Sequence, residues 1–372
     1  MGSYSPNADW AAHHAEARAL SLIVAVDTVD EGTRRSLDDM LKVIDASSCE
    51  LIVASREIWL DAPTELTVVS SPFASRGVRF DRAASRATGR ILAFVDDHVR
   101  LPNGWPERVI EFFDDPAVVM AGGPVLQRTW SRAERVSALM LKGHLGTTPT
   151  GSVPPPDRPR IVAELTESNL LIRNDAFRRV GGFRTTYARG ETMRLSHRVR
   201  SLLGCTIRYQ PDLAVVATAR RFPGPFLADT AAYGRARGEI AGGFLVATAR
   251  RFTGPRLVAH AATYRRARSE GTGRFGEEVA PPFFQYALPA LLALLVVLDV
   301  ALVLLSPIRH LRLAEYIGAS LVSAFFLMQA GRVAFASGPA RIGDRALAAL
   351  GVPVVSVTYG FAFVRGFFDT RR

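Results

Sequence analysis

Short apolar runs that stop abruptly at charged or polar residues punctuate the first half of the chain. Ser21-Leu-Ile-Val-Ala-Val26 ends at Asp27, Leu51-Ile-Val53 stops short of Ser55, Leu66-Thr-Val-Val69 follows, and Ile91-Leu-Ala-Phe-Val95 ends at Asp96-Asp97-His98. Continuous apolar runs of this length predict strands buried on both faces. Helical spacing lies between them. Leu37, Met40, Leu41 and Ile44 share one face of a helix over Thr33–Ile44, Asp81–Ala87 leads into the central strand, and Pro102–Phe113 turns Trp105, Val109 and Phe112 inward. Strands alternating with helices predict an α/β domain on a mostly parallel sheet. The pattern continues with a strand at Val118–Ala121, a helix over Ser131–His144, a strand within Glu167–Arg173, a short helix from Asn174, a helix from Gly190 and a closing strand at Leu213–Val216. Residues 1–20 form a polar leader before a domain over 21–218.

Open α/β sheets bind ligands at the carboxyl ends of their strands. At the end of the central strand, Asp96 and His98 stand two residues apart and share a face, while Asp97 points away. Carboxylate and imidazole together suit a divalent cation, Mn²⁺ or Mg²⁺, that would neutralise a diphosphate. Solvated carboxylates at a strand tip are the competing reading.

The surrounding text narrows the choice. Phe80-Asp81-Arg82 precedes the central strand and Leu101-Pro-Asn-Gly-Trp105 follows it. Ala121-Gly-Gly-Pro124, Glu167-Ser-Asn169, Arg179-Val-Gly-Gly-Phe183 and Gly190-Glu191 come in order after that. This series resembles the family 2 glycosyltransferases of the GT-A fold, a Rossmann-like nucleotide-diphospho-sugar transferase architecture, from about Ser21 to Val216. The resemblance implies a metal at Asp96 and His98, with Asp96-Asp97-His98 as a variant of the family's Asp-x-Asp. It implies donor contacts from Asp27, Ser55, Asp81, Arg82, Asp96, Asp97, Gly123 and Asn169. Departures are equally specific. Ser55 stands where a base-holding carboxylate is usual, Phe80-Asp81-Arg82-Ala83 stands where Arg-Asn-x-Gly is usual, and Thr218 takes the place of a further His ligand. Thr192 replaces the usual catalytic Asp, which leaves Glu191, at a helix N-terminus that favours a carboxylate, as either the base or a structural cap. The glycine pair Gly122-Gly123 either lets backbone approach a ligand or packs the core.

Charge adds a partner class. The formal net charge is +11, and of the 46 basic residues only Lys42 and Lys142 are lysines. Arginine forks suit phosphate and anionic headgroups. No aromatic-interleaved basic strand or recognition helix points to nucleic acid. Two distant cysteines, Cys49 and Cys205, fit a reducing compartment, and the polar leader lacks the apolar core of a signal peptide. The run Gly146–Asp157, rich in Gly and Pro, reads as a flap at the acceptor entrance.

Beyond Thr218, Ala217-Thr-Ala-Arg-Arg-Phe-Pro-Gly-Pro225 recurs as Ala247-Thr-Ala-Arg-Arg-Phe-Thr-Gly-Pro255, each copy running into an arginine-rich helical stretch. Residues 219–280 therefore read as basic amphipathic helices for a membrane interface. Residues 281–372 hold apolar segments at 283–306, 313–336 and 346–364, read as transmembrane helices with the basic domain on the cytoplasmic side. Asp299 lies within the first of them.

These readings converge on a multi-pass protein of the cell's cytoplasmic membrane. It moves a sugar from a UDP- or GDP-sugar to a lipid-linked or growing glycan acceptor, with inversion and a divalent cation, and takes part in polysaccharide or cell-envelope biosynthesis. One rival keeps the fold without turnover, as a subunit of a glycan-assembly complex. A transporter built on the apolar tail is the other, and three spans with one embedded acid make a poor pathway.

Overall fold

In the computed structural model the apolar runs become strands. Residues 18–45, 48–143, 158–162, 164–165, 168–183, 190–251, 327–328, 330–331, 333–335 and 340–369 are described. The expected acceptor flap, the second repeat copy beyond Arg251, the span at 283–306 and most of the span at 313–336 lie outside the described residues. The chain divides into two compact units, Met1–Trp130 with Thr148–Ala219, and Ser131–Thr147 with Arg220–Arg372.

The first unit is built on an eight-stranded sheet. Its strands are β1 (Leu20–Val26), β2 (Cys49–Ser55), β3 (Thr67–Ser70), β4 (Ile91–Asp96), β6 (Met120–Gly122), β8 (Arg160–Val162), β9 (Leu170–Arg173) and β10 (Ile207–Tyr209), in the order β3-β2-β1-β4-β9-β6-β10-β8. The strands β3-β2-β1-β4 are parallel throughout, as their α/β alternation predicts. Then the direction reverses. β9 runs antiparallel to both β4 and β6, and β8 antiparallel to β10, while β6 and β10 are parallel, so the sheet is mixed, with six of its eight strands running one way as expected. A second, three-stranded sheet has β11 (Val215–Thr218) between β5 (Val99–Arg100) and β7 (Val125–Arg128).

Among the described residues of this unit the α-helices are α1 (Glu31–Val43), α2 (Arg76–Ala84), α3 (Trp105–Phe112), α5 (Asn174–Arg179) and α6 (Glu191–Leu203). The α1 N-terminus is capped by Asp30, whose carboxylate accepts from the Thr33 N–H at 2.8 Å. Ser75 caps α2 in the same way through the Val78 N–H, so this helix begins five residues earlier than the apolar spacing alone predicts. β1 and β4 are buried along their whole length, as central strands covered on both faces must be. One face packs against α1 and α3 through Leu37, Met40, Trp105 and Val109. The other carries a cluster of Phe80, Phe94, Phe177 and Phe183, with ring centroids 4.9 to 5.5 Å apart in edge-on or tilted contact.

The second unit holds α4 (Arg132–Gly143), α7 (Gly224–Arg251) and α8 (Ile342–Asp369). Helix α4 falls inside the 21–218 stretch, yet its partners are here. Arg132 and Arg135 grip the buried Asp344 at 3.1 and 2.8 Å, and Met140 packs where Gly351 leaves room for it. Helices α7 and α8 meet through small residues. A Cβ on Gly234 or Gly238 would run into the backbone of Tyr359 or Phe363, and one on Gly366 into the backbone of Arg235. Gly234 and Gly238 are four apart and so share one helix face, a spacing that lets two helices approach closely. Arg237 is buried in this pair, with its guanidinium 6.0 Å from the centre of the Tyr359 ring. Part of the charge expected to lie on an interface is thus spent within the helix pair. Helix α8 covers the expected span at 346–364 and is long and apolar enough to cross a membrane. At about 1.5 Å per residue its 28 residues reach roughly 42 Å. Leu347, Leu350, Val354, Phe361 and Phe368 form an exposed apolar stripe along it.

Candidate active site

The reversal at β9 assembles the site. Because β9 runs antiparallel to β4, its beginning lies beside the end of β4, with Phe94 opposite Leu170. Ser168 and Asn169 just precede β9 and therefore arrive at the tip that carries Asp96. The Ser168 hydroxyl donates to Asp96 Oδ2. Helix α6 brings Glu191 to the same place from its N-terminus, with Gly190 at φ 87° making the entry turn that a side chain would disfavour.

Between the two carboxylates lies a residue that motif reading missed. Arg76, at the start of α2, donates to Asp96 Oδ1 and holds its Nε 3.3 Å from Glu191 Oε1. Glu191 is fully buried and Asp96 nearly so. A buried carboxylate is tolerated where an opposite charge meets it, and a single guanidinium here serves two. Its position is fixed from below, where the guanidinium lies over the Phe80 ring at 5.1 Å. One helical turn on, Arg79 closes the ends of β1 and β2, donating to Val26 O at 2.6 Å, to Ala54 O at 3.2 Å and to Asp27. Burial lowers the pKa of Arg79, opposed by the charge of Asp27.

The structure separates the expected donor residues into those at this tip and those elsewhere. Asp96, Asp97, His98 and Glu191 converge. His98 Nε2 is 3.8 Å from Asp96 Oδ2, and its Nδ1 is 3.5 Å from Asp97 Oδ1. Asp27 lies at the same carboxyl edge, mostly exposed and bound to Arg79. Ser55 is buried in a local turn, bonded to the backbone of Glu57 at 2.7 and 3.1 Å. Two residues on, Glu57 adds a carboxylate here, which accepts from the Val29 N–H at 3.0 Å. Asp81 accepts from the Phe183 N–H at 2.7 Å and so fixes the loop that carries Phe183 into the aromatic cluster. Arg82 is exposed, and α2 presents Arg76 and Arg79 inward instead. Gly123 is a packing glycine, since a Cβ there would meet the carbonyls of Leu213 and Gln210. Asn169 Nδ2 donates to that same Leu213 carbonyl at 2.7 Å, and Trp105 Nε1 does so at 3.4 Å. Three of the sequence motifs therefore meet at one backbone oxygen behind the tip.

The tip fits a divalent cation as a two-ligand site. Ligands of Mg²⁺ lie about 2.0 to 2.1 Å from the ion, so two of them sharing one ion are separated by no more than roughly 4.2 Å. The 3.8 Å between Asp96 Oδ2 and His98 Nε2 satisfies that limit. Among the described residues no cluster of three or more His, Cys, Asp or Glu side chains forms a complete cage. This agrees with ions that take one or two protein ligands and complete their shell with phosphate and water.

Residues 37–181 match the family described as Glycosyl transferase family 2. Among curated proteins, the chain is 26% identical over 237 residues to a pre-mycofactocin glycosyltransferase of Mycobacterium tuberculosis, covering 60% of this chain and 48% of that protein. It thus spans about half the length of that relative. Similar solved structures include a mannosyltransferase from Pyrobaculum calidifontis in complex with GDP-Man and Mn²⁺. That match has 15% identity and a TM-score of 0.45, over 94% of this chain and 86% of that one. GalNAc-T7 with UDP, GalNAc and Mn²⁺ is matched at 12% identity and TM-score 0.43, over 59% of this chain and 47% of that one.

Proposed function

We propose that this chain, which carries a family 2 glycosyltransferase domain on a GT-A-like α/β fold, transfers a sugar from a nucleoside diphosphate to an acceptor hydroxyl. The observation that carries the reading is the convergence of Asp96, His98 and Glu191 at the carboxyl end of the central strand, around Arg76. Asp96 and His98 would hold the divalent cation, which supplies charge stabilisation for a departing diphosphate. Arg76 lies close enough to Asp96 to add a second positive charge there. In the transfer, the acceptor oxygen bonds to the anomeric carbon as that carbon's bond to the diphosphate breaks. The hydroxyl proton passes to Glu191, and the configuration inverts. A hydroxyl at Thr192 is too weakly basic to replace it at neutral pH.

The remaining assignments belong to the same proposal. The donor is a UDP- or GDP-sugar, and the acceptor is lipid-linked or a growing glycan. Helix α8, with its exposed apolar stripe, supports attachment to a membrane, and the cytoplasmic face is the side proposed for the transfer. The second reading, a relative without turnover, is favoured by the replacement of the usual Asp by Thr192.

One assay separates them. Purified protein with Mn²⁺ is offered a panel of UDP- and GDP-sugars, and nucleoside diphosphate release is followed by mass spectrometry. Turnover by the wild type that falls about 10² to 10⁴-fold in Glu191→Gln, and that EDTA or His98→Ala abolishes, is the expected result. A wild type that is silent while Thr192→Asp turns over establishes the impaired relative instead.

A further inference from the structure

The second sheet carries a feature that the transfer reaction as described does not use. Side chains alternate along a strand, and residues paired across strands share a face. On β11, Val216 and Thr218 face one way. Arg100 pairs with Val216 and Arg128 with Thr218, so both arginines stand on that same face, one on each side of the central strand. His98 precedes Arg100 by two residues and Trp130 follows Arg128 by two, which continues each row. Together they line a solvent-open cleft with Val216 and Thr218 at its floor. The opposite face of this sheet, with Val99, Val125 and Val215, is buried core.

The lining has a specific chemical character. Arg128 is exposed, and its guanidinium lies 5.8 Å from the centre of the Trp130 ring, which is 73% exposed. Arg100 is more than half exposed, and it shares Asp39, at 3.7 Å, with Lys42, at 3.0 Å from the same carboxylate. The Thr218 hydroxyl is exposed between them. Two guanidinium forks beside a hydroxyl match the donors that a phosphate group takes, and the indole offers a flat apolar face for what the phosphate carries. His98 belongs to both places. It lines this cleft, and its Nε2 lies 3.8 Å from Asp96.

We propose that this cleft is the acceptor subsite, and that it holds a phosphate group of the acceptor between Arg100 and Arg128, with Trp130 against the adjoining sugar or isoprenoid. The inference rests on the glycosyl-transfer reading for the word acceptor, while the phosphate site itself stands on the cleft alone.

The test is binding of defined probes to the full chain without donor. Glucose 1-phosphate and farnesyl phosphate are titrated against glucose and farnesol by calorimetry, with Trp130 fluorescence as a second signal and Trp130→Phe as its control. Binding of a phosphorylated probe and not its neutral counterpart is expected, and the tighter of the two identifies a sugar phosphate or a lipid phosphate as the source. The double variant Arg100→Ala/Arg128→Ala should weaken that binding by about tenfold or more while leaving UDP affinity unchanged. Both side chains are exposed, and an unaltered melting temperature confirms that the variant is folded. Equal probe affinity in wild type and double variant overturns the proposal. So does a parallel loss of UDP affinity, which would give the cleft to the donor diphosphate. Absence of donor turnover with phosphate binding intact refutes the transferase reading and leaves the phosphate site in place.

Discussion

Replacing Arg76 by methionine keeps the apolar stem of the side chain and removes the charged guanidinium. Two carboxylates would then remain in the interior. Asp96 is 6% exposed and Glu191 has no exposed surface, so water does little to screen either charge. Removing one partner of a buried ion pair costs about 3 to 5 kcal/mol, and here the loss falls on two partners. The upper half of that range applies, since two buried carboxylates lose the same guanidinium. For a unit of this size each kcal/mol lowers the melting temperature by about 2 to 4 °C, so Arg76→Met should melt roughly 8 to 20 °C below the wild type. The transition of the first unit is followed by the fluorescence of Trp59 and Trp105, which are both buried in its core. Because the chain has two units, the transition is read for the first unit alone. Arg76→Lys should recover part of the loss, because an ammonium has no fork with which to reach both carboxylates. Adding Glu191→Gln to Arg76→Met should also recover part, since it removes one of the stranded charges, and the double-mutant cycle then measures the coupling. A shift in Arg76→Met below about 2 °C, with Arg76→Lys no different, would show that the guanidinium does not balance these charges.

Two further outcomes test other parts of the chain. Gly238→Ala raises intrinsic helix propensity by about 1 kcal/mol, yet its methyl would fall on the Phe363 carbonyl. Packing should win, and hydrogen exchange should show loss of protection in α7 and α8; a stabilised pair would refute the close approach. Tyr209 has a buried hydroxyl without a hydrogen-bond partner among the described residues, and burial raises its pKa to about 12 against an ordinary 10.0, opposed by Arg160. Its contribution to stability is complete below pH 10 and declines as the pH rises towards about 12, because the unfolded phenol loses its proton first. Tyr209→Phe should match or exceed the wild type by about 1 kcal/mol at neutral pH and lack this alkaline decline in denaturant titrations at pH 8 and pH 11.

What composition and spacing can show about such a fold depends on the symmetry of the signal. β1, β2, β3 and β4 were legible because an apolar run bounded by polar residues has few other uses, and α1 because Leu37, Met40 and Leu41 repeat at helical spacing. β9 was legible as a strand but not in its direction. Leu170-Leu-Ile-Arg173 presents the same apolar run whichever way it crosses, and only pairing with β4 and β6 decides. The site depends on that decision, since the reversed crossing is what sets Ser168 beside Asp96. Arg76 was missed for a different reason. The resemblance points to Arg82 as the arginine within reach of a phosphate, while apolar spacing alone starts α2 five residues late. Ser75 carried the missing signal. A serine ahead of a helical stretch reads as an N-cap, and extending the helix back to it puts Arg76 and Arg79 three apart on one face. The direction of that face follows from the strands. A helix packed on β1 and β2 turns one row of side chains over the sheet, and a charged row near its N-terminus has only the carboxyl edge to reach. Arginines at such positions meet strand-end carbonyls and carboxylates, so in an open α/β sheet they belong among the candidate site residues even where no motif marks them.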